Sequence, residues 1–161
     1  MTDNRHYKDE KYLSLAIELA VDNVKNGGGP FGAVVVKDGV LISEGKNLVT
    51  HENDPTAHAE VIAIRKAADK LGSHSLEGCT IYSSTEPCPM CLGAIYWAGI
   101  KEIVFASNKN DAERAGFIDA HIYREMRLEY EKRSIKTRYV NISSSGDEFA
   151  EWEKKEDKEV Y

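Results

Sequence analysis

The chain has 161 residues, 42% of them hydrophobic and 30% charged, the balance of one globular domain and too few residues for two full cores. No stretch approaches the roughly 18 to 20 consecutive apolar residues of a membrane-spanning helix. With 21 basic against 27 acidic side chains the net charge is −6, which argues against nucleic acid as the main partner. Along the chain, Leu13, Ala16, Ile17, Ala20, Val21 and Val24 recur at three- and four-residue steps ahead of Gly27-Gly28-Gly29, and predict an amphipathic helix with a glycine stop. Glu18, Asp22 and Asn23 interrupt that stretch, so it is no secretory h-region, and the cytoplasm is the expected compartment. Residues 31–37 and 40–46 are β-branched runs joined by Asp38-Gly39, which predicts an antiparallel hairpin. Asp54-Pro55 predicts an N-cap and first-turn proline for a helix over 57–71, with His58 and Glu60 near its N-terminus.

Residues 80–84 read as a strand, 87–98 as a helix and 102–106 as a strand, an alternation that predicts a parallel pair in an α/β sheet. After Asp119 a helix through about Tyr130 and a strand over 135–142 follow, then a hinge at Ser143-Ser144-Ser145-Gly146. One domain, 1–146, is therefore expected to carry a tail, 147–161, with seven acidic residues and three lysines. Phe149 and Trp152 would share one face of a short helix there, and large aromatics are costly to leave in water, so the tail is expected to pack rather than float.

Three cysteines cannot all pair within one chain, and Cys88 and Cys91 form a C-x-x-C, a spacing that suggests metal or redox chemistry. Cys79 sits in a strand-like run and is expected to be an inert buried thiol. On its own a C-x-x-C could be half of a structural zinc site or a redox pair. Neither alternative explains the other marked segment, Asp54-Pro55-Thr56-Ala57-His58-Ala59-Glu60, and the remaining histidines, His6, His51, His74 and His121, supply no second ligand pair.

Together H-A-E and P-C-P-M-C match H-x-E followed by P-C-x-x-C, the pattern of zinc-dependent nucleobase deaminases. The physical sense of the match lies in the residue types. Two thiolates favoured at a helix N-terminus and one imidazole would make three protein ligands, His58, Cys88 and Cys91, for one zinc per chain. A zinc with one open position lowers the pKa of its water to about 7. Glu60, two residues from the histidine, could then move protons without being a ligand, a function that a structural zinc in a mere interaction module would not need.

From about Leu13 to Phe117 the chain resembles the cytidine and deoxycytidylate deaminase superfamily. Within it, Gly28-Gly29-Pro30-Phe31-Gly32-Ala33-Val34, residues 87–98 and Ala115-Gly116-Phe117 are similar to bacterial guanine deaminases. The resemblance implies an α/β, three-layer α/β/α cytidine deaminase-like fold with a five-stranded mixed sheet. It also implies deamination of guanine to xanthine and ammonia, with Glu60 and Asp119 as catalytic groups and Phe31, Asn47, Ala59, Trp97 and Tyr161 as substrate contacts. By the same resemblance the tail would lie over the pocket of a partner-swapped homodimer. Guanosine as substrate remains open, as does a tRNA adenosine deaminase, because residues 54–60 are shared with that branch; the net-acidic tail and Trp97 speak for the guanine branch.

Overall fold

The computed structural model describes residues 4–160, so Tyr161 lies outside the described residues. The chain divides into two units, 1–119 and 120–161. In the first, helix α1 (Asn4–Lys25) precedes the hairpin β1 (Gly32–Lys37) and β2 (Val40–Lys46), then the single turn α2 (Val49–Glu52) and helix α3 (Ala59–Leu71). Strand β3 (Cys79–Thr85), helix α4 (Pro89–Trp97), strand β4 (Glu102–Ser107) and helix α5 (Lys109–Arg114) complete it. At the hairpin Asp38 and Gly39 both take positive φ, 49° and 77°, which matches the right-handed twist of the paired strands.

The sheet order is β2-β1-β3-β4, with β1 antiparallel to both β2 and β3, and β3 parallel to β4. It is mixed, as expected, but has four strands and not five. The missing member is the strand predicted over 135–142, where the backbone forms no ladder. A β-branched run becomes a strand only beside a hydrogen-bonding neighbour, and the second unit contains no strand among its described residues.

Alternation along the strands splits the core between two faces. Val34, Val36 and Tyr82 point toward Tyr12, Leu15 and Leu19 of α1. Ala33, Val35, Cys79 and Ile81 point the other way, onto Ala59, Ala63 and Ala67 of α3 and Ile95 of α4. Helices thus cover both faces in three layers, and Cys79 is a buried core thiol as its sequence context suggested. Alanine dominates the inward face of α3, so this helix can lie close to the sheet. The closest approach is at Gly45 of β2, where a Cβ would stand 2.0 Å from the Ala59 carbonyl oxygen and 2.7 Å from the Ala63 nitrogen. Ser43 Oγ donates to the Ala63 carbonyl at 2.6 Å and fixes the same contact.

The second unit holds α6 (Ala120–Glu125), a 3₁₀ turn at Tyr130–Lys132 and α7 (Asp147–Lys154). The helix expected after Asp119 begins there but ends at Glu125 and not at about 130; the Glu125 carboxylate accepts from the Ser134 backbone N–H at 2.6 Å and its hydroxyl at 2.7 Å, drawing the chain back. Residues 126–160 are all exposed, among them Ile135, Tyr139, Ile142, Phe149 and Trp152. Among the described residues no helix is long and apolar enough to cross a membrane.

Candidate active site

Two helices begin within the first unit on residues that the sequence marked for chemistry. His58 is the N-cap of α3 and Cys88 the N-cap of α4, both in extended backbone, and neither side chain caps its own helix. Asp54 is not the N-cap; its carboxylate closes a turn onto the Thr56 backbone N–H at 2.8 Å and the Thr56 hydroxyl at 2.7 Å, four residues upstream. That displacement leaves the His58 imidazole free to turn toward α4. His58 Nδ1 lies 3.5 Å from both Cys88 Sγ and Cys91 Sγ, and the three donor atoms all fall within 4.8 Å of one another. One imidazole nitrogen and two sulfurs are the donor set of a zinc that keeps a fourth position open.

The electrostatics divide the two cysteines. Hydrogen bonds from the Cys91 thiol and from His58 stabilise the Cys88 thiolate and bring its pKa down to about 4 against the cost of burial. Cys91, donating to Cys88 and buried beside Glu60, is pushed up and keeps its proton in the metal-free protein. The hydrogen bond to Cys88 raises His58 in turn. Without metal, then, the negative charge rests on Cys88.

Glu60 is 6% exposed, on the first turn of α3. Its Oε1 accepts from Ser83 Oγ at 3.1 Å and its Oε2 from Cys91 Sγ at 3.4 Å. Burial raises its pKa, which suits a group that must take up a proton and give it back. Asp119 is half-buried, and its carboxyl is raised by burial and then by the Cys88 charge, so it senses the same cluster.

Phe31, just ahead of β1, meets the ring of Phe117 edge-on at 4.9 Å between centroids. Asn47, directly after β2, is buried; its backbone N–H donates to the Phe31 carbonyl at 3.1 Å. Ala59 is fully buried as the first residue of α3, where its N–H has no acceptor inside the helix. Trp97 closes the far end of α4, six residues and about 9 Å of helical rise beyond Cys91, and is 69% exposed. Sequence reading overlooked Ser83, which orients Glu60, and Asn23, whose buried side chain binds Gly29 and Asn47. Phe117, within the Ala115-Gly116-Phe117 segment, carries no local sign of its contact with Phe31. No local pattern marks these residues, because their contacts span many positions of sequence.

Residues 6–107 match the cytidine and deoxycytidylate deaminase zinc-binding region. The chain belongs to this deaminase family. Its zinc-binding region encloses His58, Cys88 and Cys91, the possible metal ligands that the fold gathers. The guanine deaminase of Bacillus subtilis (strain 168) is 50% identical over 153 residues, 94% of this chain and 98% of that protein. The X-ray structure of guanine deaminase from Bacillus subtilis is similar with a TM-score of 0.92 at 50% identity, covering 94% of this chain and 98% of that one. A tRNA-specific adenosine deaminase of Aquifex aeolicus (strain VF5) is 40% identical over 98 residues, 61% of this chain and 65% of that protein.

Proposed function

We propose that this deaminase hydrolyses guanine to xanthine and ammonia. The observation that carries the reading is the extent of similarity: 42 of the 161 residues lie beyond Asp119, so the 94% match to a guanine deaminase must run well into the second unit. The match to a tRNA-specific enzyme covers only 61% of the chain. Charge agrees, since an acidic protein with a net-acidic tail is poorly built to neutralise the phosphates of a tRNA loop.

His58, Cys88 and Cys91 would hold a zinc ion, which when bound would supply an activated water near neutral pH. Glu60 holds and moves the proton that goes to a ring nitrogen, its Oε1 fixed by Ser83 Oγ and its Oε2 beside Cys91 Sγ. Asp119, raised by the same electrostatics, assists protonation of the leaving amine. Phe31 offers an aromatic face to the base, Asn47 an amide to its edge, and Ala59 its first-turn backbone N–H. Trp97 and Tyr161 are assigned to the substrate by resemblance alone. The tail, 147–161, closes the pocket in a partner-swapped homodimer; the absence of any buried side chain over 126–160 supports a second surface for its apolar groups.

An ammonia-release assay on the zinc-loaded protein with guanine, guanosine, adenine, cytosine and a tRNA anticodon stem-loop tests the reading. Guanine is expected to be turned over fastest, with weak dependence on salt. Glu60→Gln is expected to keep its zinc and lose about a hundredfold or more in kcat. A stem-loop preferred over guanine, with activity falling steeply as salt rises, would overturn the assignment.

A further inference from the structure

We infer that Asn23, on α1 and far in sequence from every catalytic motif, is a positioning residue that sets the distance between the Phe31 face and the Asn47 edge of the purine pocket. The inference rests on the guanine reading above. Asn23 is 3% exposed. Its single amide group spends both hydrogens on carbonyls from two separate loops, Gly29 O at 2.8 Å and Asn47 O at 2.8 Å. The Phe31 N–H donates to the same Gly29 carbonyl at 2.9 Å, and the Asn47 N–H donates to the Phe31 carbonyl at 3.1 Å. These four bonds form a closed ring in which Asn23 is the one side chain and Phe31 and Asn47 are fixed members. Asn47 Oδ1 in turn accepts from the Val49 backbone N–H at 3.3 Å, so the amide oxygen is engaged within the loop.

The glycines explain how a side chain can occupy this place. A Cβ on Gly28 would stand 2.4 Å from Asn23 Nδ2 and 2.6 Å from its Oδ1. Gly28 has no positive φ that would itself demand glycine. What the loop requires at residue 28 is room for the Asn23 amide, and the triple glycine thus serves the pocket through that amide as well as ending α1. A residue acting through others in this way shifts how well the base is held more than how fast it reacts.

The test compares zinc-loaded wild type, Asn23→Ala, Gly28→Ala and the double variant. Asn23→Ala is expected to raise KM for guanine about tenfold or more while kcat changes less than about threefold and zinc content stays the same. Gly28→Ala, which fills the space of the amide, is expected to give the same split, and the double variant to be no worse than Asn23→Ala alone, since both changes break one ring. If Asn23→Ala does not fold, Gly28→Ala carries the comparison. Hydrogen exchange at the Phe31 and Asn47 amides, measured without substrate, is expected to quicken in each variant. An unchanged KM, unaltered exchange at those two amides, or losses that multiply in the double variant would each overturn the positioning role. A wild-type protein that prefers another base would overturn the guanine reading alone; the same KM and kcat comparison on that base, with the exchange data, would still decide the role of Asn23.

Discussion

Cys88 carries the clearest electrostatic asymmetry in the site, and removing the metal should expose it. In the metal-free protein the Cys91 and His58 hydrogen bonds hold its thiol down to about 4, so it is already a thiolate across the neutral range. Cys91 and Cys79 are buried and pushed upward, and both stay protonated. Chelated protein is therefore expected to show one fast iodoacetamide reaction, at Cys88, with a rate that is nearly flat between about pH 6 and 8; an ordinary thiol gains about a hundredfold over that interval. Peptide mass spectrometry checks the site, and added zinc should protect it. A second cysteine labelled at the same rate, or a Cys88 rate that climbs with pH, would contradict the arrangement. The possible metal ligands and the place of Glu60 beside them were legible in the sequence because each motif is local: their spacing along two helix starts is itself the geometry. Asn23 was not, since between Val21 and Val24 a buried asparagine looks like any polar residue on a helix, and its meaning comes from Gly29 and from Asn47, 24 positions away.

The sheet and its two helical layers were equally legible, because glycine stops, the Asp38-Gly39 turn and β-branched runs are local signals. Two elements were not. Helix α5 is announced by Asn108 and Asp111, a reciprocal capping box in which Asn108 Oδ1 accepts from the Asp111 N–H at 3.2 Å and Asp111 Oδ2 from the Asn108 N–H at 2.8 Å, a signal present in the sequence but unread. The strand over 135–142 failed for the opposite reason, since its residues fit a strand but its partner would have to come from elsewhere. Packing between elements sets the prediction at this scale. Any side chain at Gly45 meets backbone of α3, which cannot swing aside as a flexible side chain could. Gly45→Ala should push α3 from the sheet, and with it His58 at the N-cap and Glu60 in the first turn. The expected result is a stability loss of about 1–3 kcal/mol together with faster zinc loss to a chelator, read by thermal unfolding and a colorimetric zinc assay. Full stability with unchanged zinc retention would show that the contact does not position the site.

For the whole molecule the decisive region is the second unit, which exposes Ile135, Tyr139, Val140, Ile142 and Phe149 and buries none of the described residues 126–160. Apolar area of that extent left in water is unfavourable by roughly 25 cal/mol per Å². The charge distribution limits what could cover it. The tail is net acidic and the rest of the chain is acidic too, so attraction between copies cannot be mainly electrostatic, and any contact between them would be driven by the aromatic and aliphatic groups. A homodimer in which each tail closes the other copy's pocket would bury those groups and exclude water from the base at the same time. Deletion of residues 157–161 separates the two tasks, because it removes Val160 and Tyr161 but leaves Phe149 and Trp152 on α7. The truncated protein is expected to remain dimeric by sedimentation and to keep its zinc and its melting temperature, while kcat/KM for guanine falls about tenfold or more as the last residues cease to cover the base. Phe149→Ser with Trp152→Ser is expected to do the reverse first, weakening the dimer, with activity then rising as protein concentration restores it. A truncated enzyme with unchanged kcat/KM would remove the closing role from the tail, and a wild type that sediments as a monomer at working concentration would remove the partner.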